Sequence, residues 1–546
     1  MVPAKTTQPT LRTNPFKFIA NLFATSLRKT RPSMPGHRRY AAKDTKKIDP
    51  PICYLVSSST TGAHTVRNRF AVLIACLATA ASSLLAQTAP AYTPPDPATK
   101  KLALDIFRQI IDINSTDSVG SVTEVSKALQ QRFLDAGFPA SDIFIGGPND
   151  RKENLVVRYH GTGAHPPILF IGHEDVVEAR REDWTTDPFE FLEKDGYYYG
   201  RGTQDMKDGD AMLVTTFLRL HSEGFKPDRD LILALTADEE GGKSNGVDWL
   251  LKNHPELMKA AFAFNPDGGG VELQNGKAIS ADVDASEKLY ADYQLTVTNP
   301  GGHSSLPVPD NAIYHLADGL QRLQNYQFPS ELNAITRAYF EKLATLEPAA
   351  TAADMRAMLA SSPDPAAIAR LSVSAEWNST MHTTCVATRL QAGHANNALP
   401  QMAEANVNCR ILPGHSREEV RQDLIRVFND PKIAVKYVDN GGGIHSGAPD
   451  SKGPPPVALD PTVMKPLEKL VAAYWPGTPV VPDMATGASD SIFTNAAGIP
   501  TYNWSAVELE TNDIRAHGKD ERLPETSFWK GVQFWHEYVR MITSGD

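Results

Sequence analysis

Short apolar runs in this chain end repeatedly on acidic or imidazole groups. His173 closes Ile168-Leu-Phe-Ile-Gly-His173 and is followed by Glu174 and Asp175, Glu239 and Glu240 close the run that begins at Leu231, and Asp267 follows Ala261-Phe-Ala-Phe-Asn-Pro. Asp205 is delivered by a glycine-punctuated loop, Gly200-Arg-Gly-Thr-Gln-Asp205-Met-Lys-Asp-Gly209. So many carboxylates cannot stay ionised together in a partly dry cleft unless something positive neutralises them. Divalent metal is the simplest answer. One imidazole among carboxylates suits zinc or a similar cation, and a shared carboxylate would set two ions roughly 3.5–4 Å apart. His173 and Asp267 can serve one ion and Glu240 the other, which leaves one ligand wanting. His517 fills that place, in the polar loop Arg515-Ala-His517-Gly-Lys-Asp-Glu521, where nothing apolar would bury the ring. Glu239, beside a ligand but left over, is the candidate base for an attacking water.

The elements that must position these groups follow from the runs themselves. Four to eight apolar residues bounded by Gly, Pro or polar clusters read as strands buried on both faces, and reactive groups in open α/β sheets gather at the carboxyl ends of such strands. Amphipathic stretches lie between them: a helical period from Leu102, Val122 to Phe138 closed by Gly137, Ala211 to Leu220, Asn245 to Asn253, and Val463 to Tyr474. Trp184 to Tyr199 reads as a hairpin turning at Asp195-Gly196. The chain carries no internal repeat, nucleotide-binding loop or Gly-x-Ser-x-Gly elbow.

These residues resemble the M20 family of metallopeptidases, over nearly all of the chain from about Pro95 onward. Gly172 to Val177 meets the pattern Gly-His-x-Asp-Val-Val, Gly200 to Lys207 meets Gly-Arg-Gly-x-x-Asp-x-Lys, Glu239 and Glu240 meet the Glu-Glu pair, and His517 to Glu521 meets His-Gly-x-Asp-Glu. The resemblance implies two zinc ions, with cobalt or manganese as substitutes. His173 and Asp267 would hold one, Glu240 and His517 the other, with Asp205 bridging. Asp175 would then orient His173, and Glu239 would carry a proton from water to the leaving amine. A non-proline cis peptide after Asp205 is implied as well. Two positions depart from the common pattern: Asp267 stands where many members have Glu, and Glu174 where a small or neutral residue is usual.

The fold implied is an α/β catalytic domain, a mixed sheet flanked by helices, interrupted by an inserted α+β lid that dimerises. Its parts are 92–285 and 441–546, with the lid at 286–440. Alternation in Leu289-Tyr-Ala-Asp-Tyr-Gln-Leu-Thr-Val297 marks the lid's first strand, and 344–370 looks like an extra helical excursion. By resemblance His303, in Asn299-Pro-Gly-Gly-His303-Ser-Ser, donates to an oxyanion in the partner's site. Asn397 and Arg410 grip substrate, and Ser489 lies in a polar turn lining the site. Cys385 and Cys409 read equally as a disulfide or as two buried thiols.

Upstream, residues 1–65 are basic, Pro- and Ser-rich and without period, read as a disordered or mis-assigned extension. Residues 66–86 have the basic head, apolar middle and small-residue end of a secretory signal, implying a secreted, periplasmic protein, with lipoprotein anchoring at Cys76 a minor alternative. Beyond residue 86 there are 41 basic and 62 acidic side chains, a net charge of −21 against −10 for the whole chain. Nucleic acid and anionic membrane are therefore poor partners. The expected activity is release of C-terminal residues from small peptides. N-acyl-amino-acid amidohydrolysis is the alternative, and an inactive peptide-binding relative is a remote third.

Overall fold

The computed structural model describes residues 91–544 apart from Gly242. The extension and signal expected at 1–65 and 66–86 lie outside the described residues. No helix among the described residues is long and apolar enough to cross a membrane.

The larger sheet has ten strands. From one edge run Ile143–Gly146, Asn154–Tyr159, Leu231–Thr236, Ile168–His173, Phe262–Asn265 and Thr501–Asn503. Lys277–Glu287, Gly270–Gln274 and Glu508–Glu510 follow, and Val480–Ala485 pairs beside Lys277–Glu287. Leu231–Thr236, Ile168–His173, Phe262–Asn265 and Thr501–Asn503 are mutually parallel, so whatever follows the first three emerges along one edge of the sheet.

Alternation along these strands feeds two cores. Ile168, Phe170, Leu233, Leu235 and Phe264 face helices Pro97–Ile111, Lys207–Ser222, Pro461–Tyr474 and Glu525–Thr543. Leu169, Ile171, Ile232, Ala234 and Ala263 face Gly246–Asn253 and Pro255–Met258. Burial on both faces is why these strands read as unbroken apolar runs. Local chemistry starts the helices: Asp96 accepts from the amides of Ala98 and Thr99, with Pro97 in the first turn. The result is the α/β mixed sheet flanked by helices that the sequence implied.

The smaller sheet is antiparallel, in the order Thr384–Ala392, Met402–Ile411, Leu289–Thr298, Ala434–Val438, Ile444–His445. Helices Ala312–Gln324 and Arg417–Phe428 bury one face, through Leu316, Leu323, Val420, Leu424 and Phe428. Only Lys288 separates the last strand residue of the large sheet, Glu287, from the first of the small one, Leu289. The small sheet continues to His445, past the boundary expected at 440. Cys385 and Cys409, register partners on adjacent strands, form a disulfide, which decides between the two readings.

The excursion at 344–370 becomes helices Ala349–Leu359 and Pro365–Leu371, flanked by Ala334–Leu343 and Ala375–Met381, which the sequence reading passed over. Tyr339, Phe340, Met355, Met358, Leu371 and Met381 form a separate core that closes on Val481 of the large sheet. The excursion therefore braces against the catalytic sheet.

Phe170, three residues before His173, is fully buried, with ring centroids 5.6 Å from Phe264, 5.7 Å from Phe217 and 6.1 Å from Trp535. Phe170→Ala is expected to lower unfolding free energy by about 3–5 kcal/mol in chemical denaturation. A loss below about 1 kcal/mol would contradict this packing.

Candidate metal centre

His173 ends its strand almost fully buried. Its Nδ1 lies 3.0 Å from the Asp175 carbonyl oxygen, an acceptor that fixes a proton there and turns Nε2 toward Asp205 Oδ1 at 3.1 Å and Asp267 Oδ2 at 4.0 Å. The Asp175 carboxylate was expected to orient this ring, but its Oδ1 stands 3.7 Å from Nδ1. Its two oxygens instead accept from the backbone N–H of Glu239 at 3.2 Å and Glu240 at 3.1 Å. Asp175 thus sets the imidazole with its main chain and the glutamate pair with its side chain.

The Asp205–Met206 peptide is cis, as the resemblance implied. Asp205 Oδ2 lies 3.0 Å from His517 Nε2, which is also 3.0 Å from Glu240 Oε2. Two donor sets result, His173 with Asp205 and Asp267, and Asp205 with Glu240 and His517, each within 4.8 Å. Glu239 belongs to neither. The five residues proposed as ligands thus meet around a shared Asp205.

Residues to which the sequence reading gave no role hold the two loops together. Glu521, fully buried, accepts from Arg201 Nη1 at 2.5 Å with one oxygen, and from the amides of Gln204 at 2.7 Å and Asp205 at 3.2 Å with the other. Gln204 accepts from the amides of Arg515 at 2.7 Å and Ala516 at 3.1 Å, and donates to the Arg522 carbonyl at 2.7 Å. The loops bearing Asp205 and His517, more than three hundred residues apart, therefore fold as one unit. The signal was available in the motifs: an Arg in one glycine-rich loop and a Glu ending the other.

Electrostatics show what this cluster demands. Burial opposes charge on His173, yet the Asp205 contact and the charges of Asp267, Asp175 and Glu239 hold it well above the usual imidazole range. Contacts to Asp205 and Glu240 push His517 up to about 10. Burial also opposes charge on Asp205, but the two imidazoles hold its carboxyl well below the carboxylate range. Burial pushes Asp267 up to about 7 and Glu239 well above its usual value. The cluster thus draws positive charge onto both imidazoles. Divalent cations meet the same demand by displacing those protons, and two imidazole nitrogens with carboxylate oxygens sharing Asp205 fit two such ions.

Behind the ligands lie Glu174, Asp210 and Lys207, all fully buried. Ser126 donates to Glu174, and Lys207 Nζ donates to the carbonyls of Ile110 at 2.7 Å and Ile113 at 3.0 Å. Burial raises Glu174 well above the carboxylate range and Asp210 to about 8. Burial therefore disfavours charge on Glu174, which stands where the family pattern has a small residue.

The remaining candidates sit elsewhere. His303 and Asn397 are exposed and brought together on the short ribbon of Gly302–His303 and Ala398–Leu399. The Ser305 amide donates to His303 Nδ1 at 3.2 Å, leaving Nε2 as the ring's donor. Arg410 lies over the Tyr290 ring at 4.8 Å. Among the described residues no hydrogen bond or ion pair joins His303, Asn397 or Arg410 to the five ligand residues. Ser489 is buried, and both its amide and its hydroxyl donate to Glu287 Oε2, at 2.9 Å and 3.0 Å.

Gln204→Ala would leave backbone groups of the His517 loop without partners while sparing the His173 half. In metal analysis after dialysis against a chelator, the variant is expected to retain about one ion per chain, its second site weakened roughly 10–100-fold. Equal loss of both ions would mean that Gln204 does not act on one loop selectively.

The chain is similar to known proteins over most of its length. The profile of peptidase family M20/M25/M40 matches residues 169–541. An N-fatty-acyl-amino acid synthase/hydrolase, PM20D1, of Xenopus tropicalis is 30% identical, over 70% of this chain and 72% of that protein. A probable carboxypeptidase S-like 2 of Dictyostelium discoideum is 28% identical, over 75% of this chain and 78% of that protein. The solved M20 family metallo-carboxypeptidase Sso-CP2 of Sulfolobus solfataricus superposes with a TM-score of 0.59 at 16% identity, over 81% of this chain and 99% of that one. With its ligand motifs in order and the profile spanning most of its length, the chain belongs to peptidase family M20/M25/M40 and is a hydrolase of the peptidase and amidohydrolase class.

Proposed function

We propose that the protein is a zinc-dependent carboxypeptidase that hydrolyses the last peptide bond of small peptides. The observation that carries amide hydrolysis is Glu239, which adjoins two donor sets joined by Asp205 while its own carboxyl makes no hydrogen bond among the described residues. Mixed nitrogen and oxygen donors suit zinc, with cobalt or manganese as substitutes. Two such ions supply Lewis acidity and lower the pKa of water. Glu239 takes the proton of the attacking water and delivers it to the leaving amine. Asp175, holding the amides of Glu239 and Glu240, keeps base and ligand in fixed relation. His303, with Nε2 as donor, offers a hydrogen bond to the developing oxyanion, and Asn397 stands beside it. The guanidinium of Arg410 makes no ion pair among the described residues and presents a planar fork to a free α-carboxylate.

A second reading, hydrolysis of N-acyl amino acids, is favoured by the Xenopus relative, whose name describes activity on N-fatty-acyl amino acids. It would use the same carboxylate grip with an acyl chain in place of the peptide. Homodimerisation through the lid is supported by the exposed edge strand Thr384–Ala392, where Val386 is 61% and Leu390 67% exposed. A monomeric mass by light scattering at micromolar concentration would remove it.

Glu239→Gln is expected to lower turnover by roughly 10²–10⁴-fold with metal content unchanged. Loss of metal would instead make Glu239 a ligand. For substrate, the zinc-loaded protein should cleave a free-acid peptide and spare its C-terminal amide. Faster cleavage of an N-acetylated amino acid would promote the second reading.

A further inference from the structure

The face of the small sheet opposite helices Ala312–Gln324 and Arg417–Phe428 carries a cross-strand row at one level: Thr384, Arg410 and Tyr290 are register partners on three adjacent strands. Arg410 turns away from the helices, since its neighbour Cys409 is fully buried among them. Among the described residues its guanidinium has no carboxylate and no hydrogen-bond acceptor, only the Tyr290 ring at 4.8 Å. The row lies at the end of the sheet nearest the junction with the catalytic sheet, two residues from Lys288 along the strand that opens at Leu289.

Lys288 is fully buried and likewise lacks an ion-pair partner among the described residues. Its Nζ donates to Ser379 Oγ at 3.1 Å and to Thr384 Oγ1 at 3.3 Å. Burial, with Arg410 adding repulsion, holds this amine down to about 7. A guanidinium and a buried amine, neither with a carboxylate partner among the described residues, flank one hydroxyl. Because Thr384 Oγ1 accepts from Lys288, its own O–H is left to donate, and it finds no acceptor among the described residues. A guanidinium without an acceptor beside a hydroxyl with a proton free to donate describes a site for an anion with two oxygens.

We propose that Thr384 completes the carboxylate pocket with Arg410, Arg410 binding the substrate carboxylate through its fork and Thr384 through its hydroxyl, while Lys288 is a positioning residue that turns the hydroxyl outward. This rests on the reading of a free-carboxylate substrate given above. The geometry adds which second group selects that carboxylate.

The test uses the zinc-loaded full chain and whichever of N-acetyl-Ala-Leu or N-acetyl-Leu it cleaves, together with the matching C-terminal amide. Thr384→Val, close in shape, should raise KM for the free acid about ten-fold, the worth of one charge-assisted hydrogen bond, with kcat and any amide cleavage unchanged. Thr384→Ser should restore KM. Lys288→Met should reproduce the Thr384→Val effect, and the double variant should be no worse than Thr384→Val alone, a non-additivity that general destabilisation would not produce. Where Lys288→Met does not fold, Thr384→Val and Thr384→Ser decide alone. Wild-type preference for the acid with unchanged KM in Thr384→Val overturns this proposal and leaves the carboxylate reading standing. Equal cleavage of acid and amide, or cleavage of neither, overturns both.

Discussion

Asp205 has two carboxylate oxygens, and each faces a different imidazole: Oδ1 meets His173 and Oδ2 meets His517. The rest of the site depends on that division. One oxygen belongs to the parallel sheet, whose strand ends deliver His173 and Asp267. The other belongs to the loop between strands Glu508–Glu510 and Arg522–Pro524 near the end of the chain. Within that loop His517 is placed by its neighbours Arg515 and Ala516, whose amides are held by Gln204, one residue before Asp205. The same short loop therefore supplies the shared carboxylate and fixes the distance to its far partner.

Much of the centre was legible because a parallel sheet writes itself plainly. Strands buried on two faces must be apolar, and the polar residues that interrupt them at His173, Glu239, Glu240 and Asp267 stand out against that background. His517 had no such background and was reached by asking which ligand was wanting. Gln204 was not legible, and Glu521, although it ends a motif, carried no sign of its burial, since a buried carboxylate in a polar loop looks in sequence like a solvated one. Its partner Arg201 comes from a distant motif. The role of Asp175 came from the family resemblance, whereas the structure uses its main chain for one task and its side chain for another.

Legibility also failed where packing overrides pattern. Helices Ala334–Leu343 and Ala375–Met381 flank an Ala-rich stretch that was recognisable as helical. Their shared core with Val481 depends on a strand more than a hundred residues away. The C-terminal helix Glu525–Thr543 buries Phe528, Phe534, Trp535 and Tyr538, yet the sequence reading did not isolate it. The buried group behind the metal centre is a different case. Glu174 breaks the family pattern in sequence, but burial disfavours charge there as it does on Asp210 and Lys207, each moved to about 8.

The Cys385–Cys409 bond joins two strands at the position next to the Thr384 and Arg410 pair. Because side chains in a strand alternate faces, a slip of one residue in the edge strand would turn Thr384 from the open face toward the helical core. An edge strand with a bulge between Ala387 and Arg389 has little else to resist such a slip. The covalent link acts as a ratchet pawl on strand register. Through it, the thiol oxidation state of the surrounding compartment bears on which face the threonine presents, a dependence that would be expressed in recognition and not in the chemistry at the metals.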